Sequence, residues 1–147
     1  MSNTPDPGIV VANAASAAVS HARQKFAVTL DYSEASIEEV EKILETVHAQ
    51  RPKGFFAKLL RRGPTASEME RIAMAYGCYI GEVMRRSFGG HWVLESALAP
   101  GSRVLTLLLS DKCEVWPHFK VGKRLSNGSE DNVWHYYQVA RRKFQNK

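Results

Sequence analysis

The run TASEMERIAMAYGCYIGEVMRRSFGGHW, residues 65–92, decides how this chain folds. It opens with Thr65-Ala-Ser-Glu68, directly after Gly63-Pro64. That spacing is a capping box, in which a hydroxyl and a carboxylate satisfy amides that a new helix leaves open. Met69, Ile72, Tyr76, Ile80 and Val83 then recur at helical spacing. Ala73, Gly77 and Gly81 lie four apart beside that apolar stripe. Glycine inside a helix costs about 1 kcal/mol relative to alanine. Two at one spacing predict that another backbone packs closely there. Gly89-Gly90 supplies the usual C-terminal stop. The run is expected to be a buried central helix.

Outward from it, the pattern on the N-terminal side predicts a second capping box at Ser36-Ile-Glu-Glu39. It opens an amphipathic helix carrying Ile37, Val40, Leu44 and Val47 and ending near Gln50. Phe26, Val28, Leu30 and Tyr32 alternate with smaller or polar residues, which predicts a half-buried strand over 26–32. An alanine-rich helix with a thin apolar face is expected over 13–24, after a flexible tail over 1–12.

On the C-terminal side, apolar runs at 91–98, 103–109 and 113–116 alternate with the turn signals Ala99-Pro-Gly-Ser102 and Ser110-Asp-Lys112. They read as an antiparallel meander. A short helix over 118–125 follows, then a last helix capped from Ser129-Glu-Asp131, with Val133, Tyr137, Ala140 and Phe144 on one face. The expectation is an α+β fold: one domain over 13–147, with an antiparallel sheet of three to four strands and helices packed mainly on one face.

The chain has 147 residues, 44% of them hydrophobic and 24% charged. These are ordinary globular values that exclude a disordered or collagen-like chain. The net charge of +5 is unevenly spread. Residues 31–50 hold six acids and one lysine, residues 51–63 hold five bases and no acid, and residues 117–147 hold seven bases and two acids. Such blocks suit an acidic or polyanionic partner without choosing between them. Cys78 and Cys113 are too few for a disulfide framework and fall in apolar runs, so both read as reduced, packed thiols. No stretch reaches the ~20 apolar residues of a membrane helix. The first residues carry Asp6 and no Lys or Arg, unlike a secretory signal. A cytoplasmic protein with no membrane span is expected.

Three constellations carry the candidate chemistry. Glu82 precedes Arg85 and Arg86 at i+3 and i+4, with His91 and Trp92 downstream. Read one way, this is an ion pair tying the central helix to the next strand. Read the other way, a partly buried Glu82 with an arginine and the His91 imidazole forms a ligand cleft or supplies a general base. A second group, Phe55, Phe56, Lys58, Leu59, Arg61 and Arg62, would place aromatics and leucines on one side of a short helix with cations on its flank. That is a partner-binding surface if exposed and a core connector if not. The third, Lys120, Lys123 and Arg124, lies among aromatics and would hold a polyanion.

No Gly-x-Ser-x-Gly, Gly-x-Gly-x-x-Gly or Walker loop occurs, and the five histidines show no metal-ligand spacing. No cofactor or metal is expected.

The residues Gly77, Tyr79, Gly81, Glu82, Val83 and Arg85, followed by Gly89, Gly90 and Trp92, trace the patterns Gly-x-Tyr-x-Gly-Glu-Val-x-Arg and Gly-Gly-x-Trp. In this the chain resembles a family of small bacterial domains of unknown function, in which an acidic capped helix precedes such a helix and turn. The resemblance spans residues 26–140 and departs at the basic segment 51–63. It implies a fold but no chemistry. Some such domains resemble immunity proteins encoded beside secreted toxins. Together these readings describe a non-catalytic, protein-binding module, with an immunity-type inhibitor as its most concrete form. A small-ligand binder or enzyme using the Glu82 cleft, and a nucleic-acid-binding module using the basic C-terminal patch, stand as alternatives.

Overall fold

The computed structural model describes residues 4–52, 60, 63–98 and 100–145. It has the expected α+β architecture. The helix α1 (Pro7–Phe26) starts inside the stretch expected to be a loose tail. Its start is fixed by chemistry: the Asp6 carboxylate accepts the Gly8 and Ile9 amides, and Pro7 needs no amide partner. Its thin apolar face works through size. Val11, Ala15, Ala18 and Ala22 are all fully buried, chiefly against α3 (Ala66–Phe88), so short side chains let two helices approach closely.

No strand forms over 26–32. Ala27 turns left-handed (φ 53°), and the chain runs extended with no sheet neighbour. The alternation is nevertheless real as burial: Val28, Leu30 and Tyr32 face inward, while Ala27, Thr29 and Asp31 face solvent. The period of two reported an extended chain on the core, and only a partner could have made it a strand. The second capping box also fails. In α2 (Ser36–Ala49) the Ser36 hydroxyl donates to the Ser33 carbonyl, and the amide of Ser36 is accepted by Ser33 Oγ at 3.2 Å. The N-cap position falls on Ala35, which has no polar side chain to bond, and Ser33 upstream takes the Ser36 amide instead.

α3 follows its sequence closely. Both arms of the Thr65–Glu68 capping box are formed. Every residue from Tyr76 to Met84 is buried, so the helix is enclosed by α1 on one side and α4 (Pro117–Asn127) on another. The glycines explain how. A Cβ on Gly77 would lie 2.3 Å from the His118 Cα, and one on Gly81 would lie 2.3 Å from the Trp92 ring. Gly77 therefore meets a backbone, as predicted, whereas Gly81 makes room for an indole.

Gly89, with φ 86°, ends α3 and leads into the sheet: β1 (His91–Val93), β2 (Thr106–Ser110) and β3 (Cys113–Val115), antiparallel in the order β1-β2-β3. After α4, Ser129–Asp131 forms a separate 3-10 turn and does not cap the last helix, α5 (Val133–Gln145). That cap is Asn132, whose side-chain oxygen accepts the His135 amide at 2.9 Å.

The charge blocks meet inside the fold. Arg124 is 1% exposed and donates to Glu41 at 2.8 Å and to Glu45. The other Glu41 oxygen accepts the Val133 amide at 2.8 Å. One carboxylate of the acidic helix thus holds a buried cation and the first amide of α5 together. At the surface, Glu34 meets Arg141 and Gln145.

Candidate functional site

Four of the five residues in the first constellation come together. The Glu82 carboxylate, 8% exposed, accepts the Arg85 guanidinium through both oxygens at 2.9 and 3.0 Å. It also accepts the Trp92 indole N–H at 2.9 Å, and Arg86 lies 3.8 Å away. The Arg86 guanidinium stacks 3.9 Å over the Tyr32 ring. Burial pushes the Glu82 carboxyl up, but the hydrogen bonds from Arg85 and Trp92 and the two arginine charges outweigh it, so the group sits below its ordinary value.

A general base working at neutral pH is favoured by the opposite shift. His91 stands apart: it is exposed at the start of β1 and makes none of these contacts. Nearby, Tyr79 works as a second clamp. Its hydroxyl accepts the Tyr32 amide at 2.8 Å and lies 2.7 Å from Ser36 Oγ. Since the Ser36 proton already goes to the Ser33 carbonyl, Tyr79 is the donor to Ser36. This side of α3 is a set of closed hydrogen bonds that pin the segments around residues 32 and 92 onto the central helix.

The third constellation is divided. Arg124 is buried between α2 carboxylates. Lys120 donates to Asp131 at 2.9 Å and lies over the Tyr136 ring, and Lys123 is exposed. The three therefore present no common cationic patch. The second constellation, Phe55, Phe56, Lys58, Leu59, Arg61 and Arg62, lies outside the described residues.

A groove of about 970 Å³ runs along the outer face of α4, a size suited to a ligand or a short segment of a partner. Its floor is α4 itself, through His118, Phe119, Gly122, Lys123, Ser126 and Asn127. Glu70, Ala73 and Met74 of α3 form one wall, and Glu114, Val115, Trp116 and Tyr136 complete the lining. Phe119 is 54% exposed and Met74 38%, so two large apolar side chains face water in one concavity.

The groove's polar groups differ in how far they are committed. Glu114 is turned away, accepting from Ser96 Oγ at 2.6 Å and the Ala97 amide at 2.7 Å, and the Trp116 indole donates to Thr106. His118 is 9% exposed, and its Nδ1 has no hydrogen-bond partner. Burial pushes the imidazole below its ordinary value and keeps it neutral. Burial likewise pushes the Tyr136 hydroxyl up to about 12.

In the sequence Phe119 stands as an aromatic between His118 and Lys120. The available signal was its helical spacing with Lys123 and Ser126, which puts an aromatic on the polar face of a short helix.

Among the described residues no three His, Cys, Asp or Glu side chains are grouped to hold a metal. Cys78 is buried, with its thiol pushed up to about 12, and Cys113 is half-buried. No helix among the described residues is long and apolar enough to cross a membrane. No protein-family model, curated protein or solved structure matches this chain.

Proposed function

We propose that this chain is a non-catalytic, protein-binding module, acting in the cytoplasm, whose partner docks in the groove along α4. The carrying observation is that Phe119 and Met74 lie exposed in one concavity beside a buried, unsatisfied His118. Exposed large apolar side chains gathered in a cleft gain free energy only when something covers them. The Glu82 cluster supports the same reading from the other side. Its carboxylate already holds Arg85 and Trp92 and lies below its ordinary value. Inhibition of the partner, as immunity proteins inhibit toxins, is the concrete form of this function.

The experiment is affinity purification of the tagged chain from its native cells, comparing wild type with Phe119→Asp and with Ile9→Asp. Ile9 is 62% exposed on α1, outside the groove, and serves as the control. A partner kept by wild type and Ile9→Asp but lost by folded Phe119→Asp supports the reading. A partner kept equally by all three removes the groove from it.

A further inference from the structure

A second cleft, of about 430 Å³, opens between α1 and α3 and shares no residue with the groove along α4. Two of its side chains are joined by a hydrogen bond: His21 Nδ1 lies 2.7 Å from the hydroxyl of Tyr76, which is fully buried. That hydroxyl makes no other hydrogen bond among the described residues. Accepting from Nδ1 would strand its own proton in the core, so the hydroxyl donates and Nδ1 accepts. Burial and the nearby Lys25 charge hold the imidazole below its ordinary value, in the neutral form. A neutral ring that accepts at Nδ1 carries its proton on Nε2. Nε2 makes no hydrogen bond among the described residues. The buried tyrosine thus fixes His21 as a donor whose N–H is unspent, although a phenylalanine at 76 would fill the same space.

Two further donors reach this cleft. Lys25 stands one turn beyond His21 on α1, and Arg71 stands on the α3 wall. Both are exposed, and neither makes an ion pair among the described residues. Glu68 is the one acid among the described lining residues, and its carboxylate already accepts the Thr65 amide in the capping box at 3.4 Å. Two cations against one acid leave a surplus of one positive charge. Beside these groups, Ala17, Ile72 and Ala75 give the cleft an apolar wall.

From this arrangement we infer that the cleft binds a small amphiphilic carboxylate, held by His21 Nε2–H, Lys25 and Arg71, with its hydrocarbon against Ala17, Ile72 and Ala75. Like charges on facing helices repel, and an anion between them turns that repulsion into attraction. A guanidinium fork matches the two oxygens of a carboxylate. The single charge of a carboxylate equals the surplus, whereas a phosphate dianion exceeds it beside Glu68. The volume falls in the range of small-molecule sites. The site is independent of the docking groove and adds a ligand to the protein-binding reading.

The test is amide NMR titration of the full chain at about pH 7.5, where the carboxylate is ionised and His21 neutral, with hexanoate, hexanol and hexylammonium. Hexanoate should shift the amides of Ala17, Arg71 and Ala75 saturably. Hexanol should bind roughly tenfold more weakly, for want of charge-assisted bonds, and hexylammonium should not bind. Lys25→Gln and Arg71→Gln, both at exposed positions, should each weaken hexanoate roughly three- to fivefold. His21→Phe, shown folded by its thermal melt, should weaken it as well.

Two readouts on the ring itself separate a ligand donor from a merely structural histidine. Nitrogen-15 spectra should place the His21 proton on Nε2, and saturating hexanoate should raise the His21 pKa, because a bound anion favours the imidazolium. A proton found on Nδ1, equal binding of hexanol and hexanoate, or full binding by the Lys25→Gln/Arg71→Gln double variant overturns the assignment. So does the absence of saturable shifts in the cleft with any probe. Tighter binding of inorganic phosphate than of hexanoate overturns the choice of a carboxylate.

Discussion

The Trp92 indole fills the space that a side chain on Gly81 would need, and its N–H is held by Glu82 on the next residue of the same helix. A notch and a clamp, adjacent in sequence, fix one aromatic ring and with it the first strand.

Alanine scanning of the helical glycines should therefore give opposite signs. Gly81→Ala and Gly77→Ala lose about 1–3 kcal/mol to overpacking. Gly77→Ala loses more, because it meets the His118 backbone while Gly81→Ala meets a ring edge. Gly122→Ala, with open space above it, gains about 1 kcal/mol from helix propensity. Urea denaturation of the three variants measures all of these. Stabilisation by Gly77→Ala would contradict the packing described here.

Glu82→Gln should cost about 1–3 kcal/mol at neutral pH, since it removes charge-assisted bonds to Arg85 and Trp92. The folded carboxyl lies below its unfolded value. Its stabilisation is therefore present above about pH 4.5 and lost as pH falls through the folded value. The stability gap between wild type and Glu82→Gln should shrink on acidification, measured by denaturation across a pH series. A gap independent of pH would mean that the ionised carboxylate is not what holds Trp92.

His118 should titrate below its ordinary value, read from its ring-proton shifts by NMR, because burial penalises the imidazolium. A lowered folded value means that the unfolded chain binds the proton first. The neutral ring thus contributes stability that is complete above about pH 6.5 and is lost as pH falls toward the folded value. A midpoint at or above the ordinary value would show an acceptor on Nδ1.

Arg124→Met should cost about 3 kcal/mol, since the half-buried Glu41 is left without its cation. Adding Glu41→Gln should recover part of that loss. The α5 amides should exchange faster in Arg124→Met, because Glu41 also caps Val133. Unchanged exchange at Val133 would separate the two roles of Glu41.

Much of the fold was legible because it is written locally. The Thr65 capping box and the turn signals around β2 each act within a few residues of themselves, and both stand in the structure; the glycine spacing of α3 marks a close approach without naming the partners, His118 and Trp92. What failed depended on distant partners. The alternation over 26–32 predicted burial correctly, but a strand needs a neighbour that the sequence does not name. Ser36 has the spacing to Glu39 of a capping box, but its hydroxyl donates to Ser33 and accepts from Tyr79, far along the chain.

The Glu82 grouping was visible as helical spacing plus Trp92, and His91 fell away because β1 points it to solvent. The groove was not visible. Four segments build it, and no one of them carries its pattern.

The claim at the centre of this account is that the outer face of α4 is the binding surface. Amide hydrogen–deuterium exchange on the chain, alone and bound to its purified partner, tests it most directly. The account predicts new protection over residues 70–74 and 116–127, with little change over 82–93. Protection confined to 82–93, leaving α4 as open as in the free chain, would contradict it.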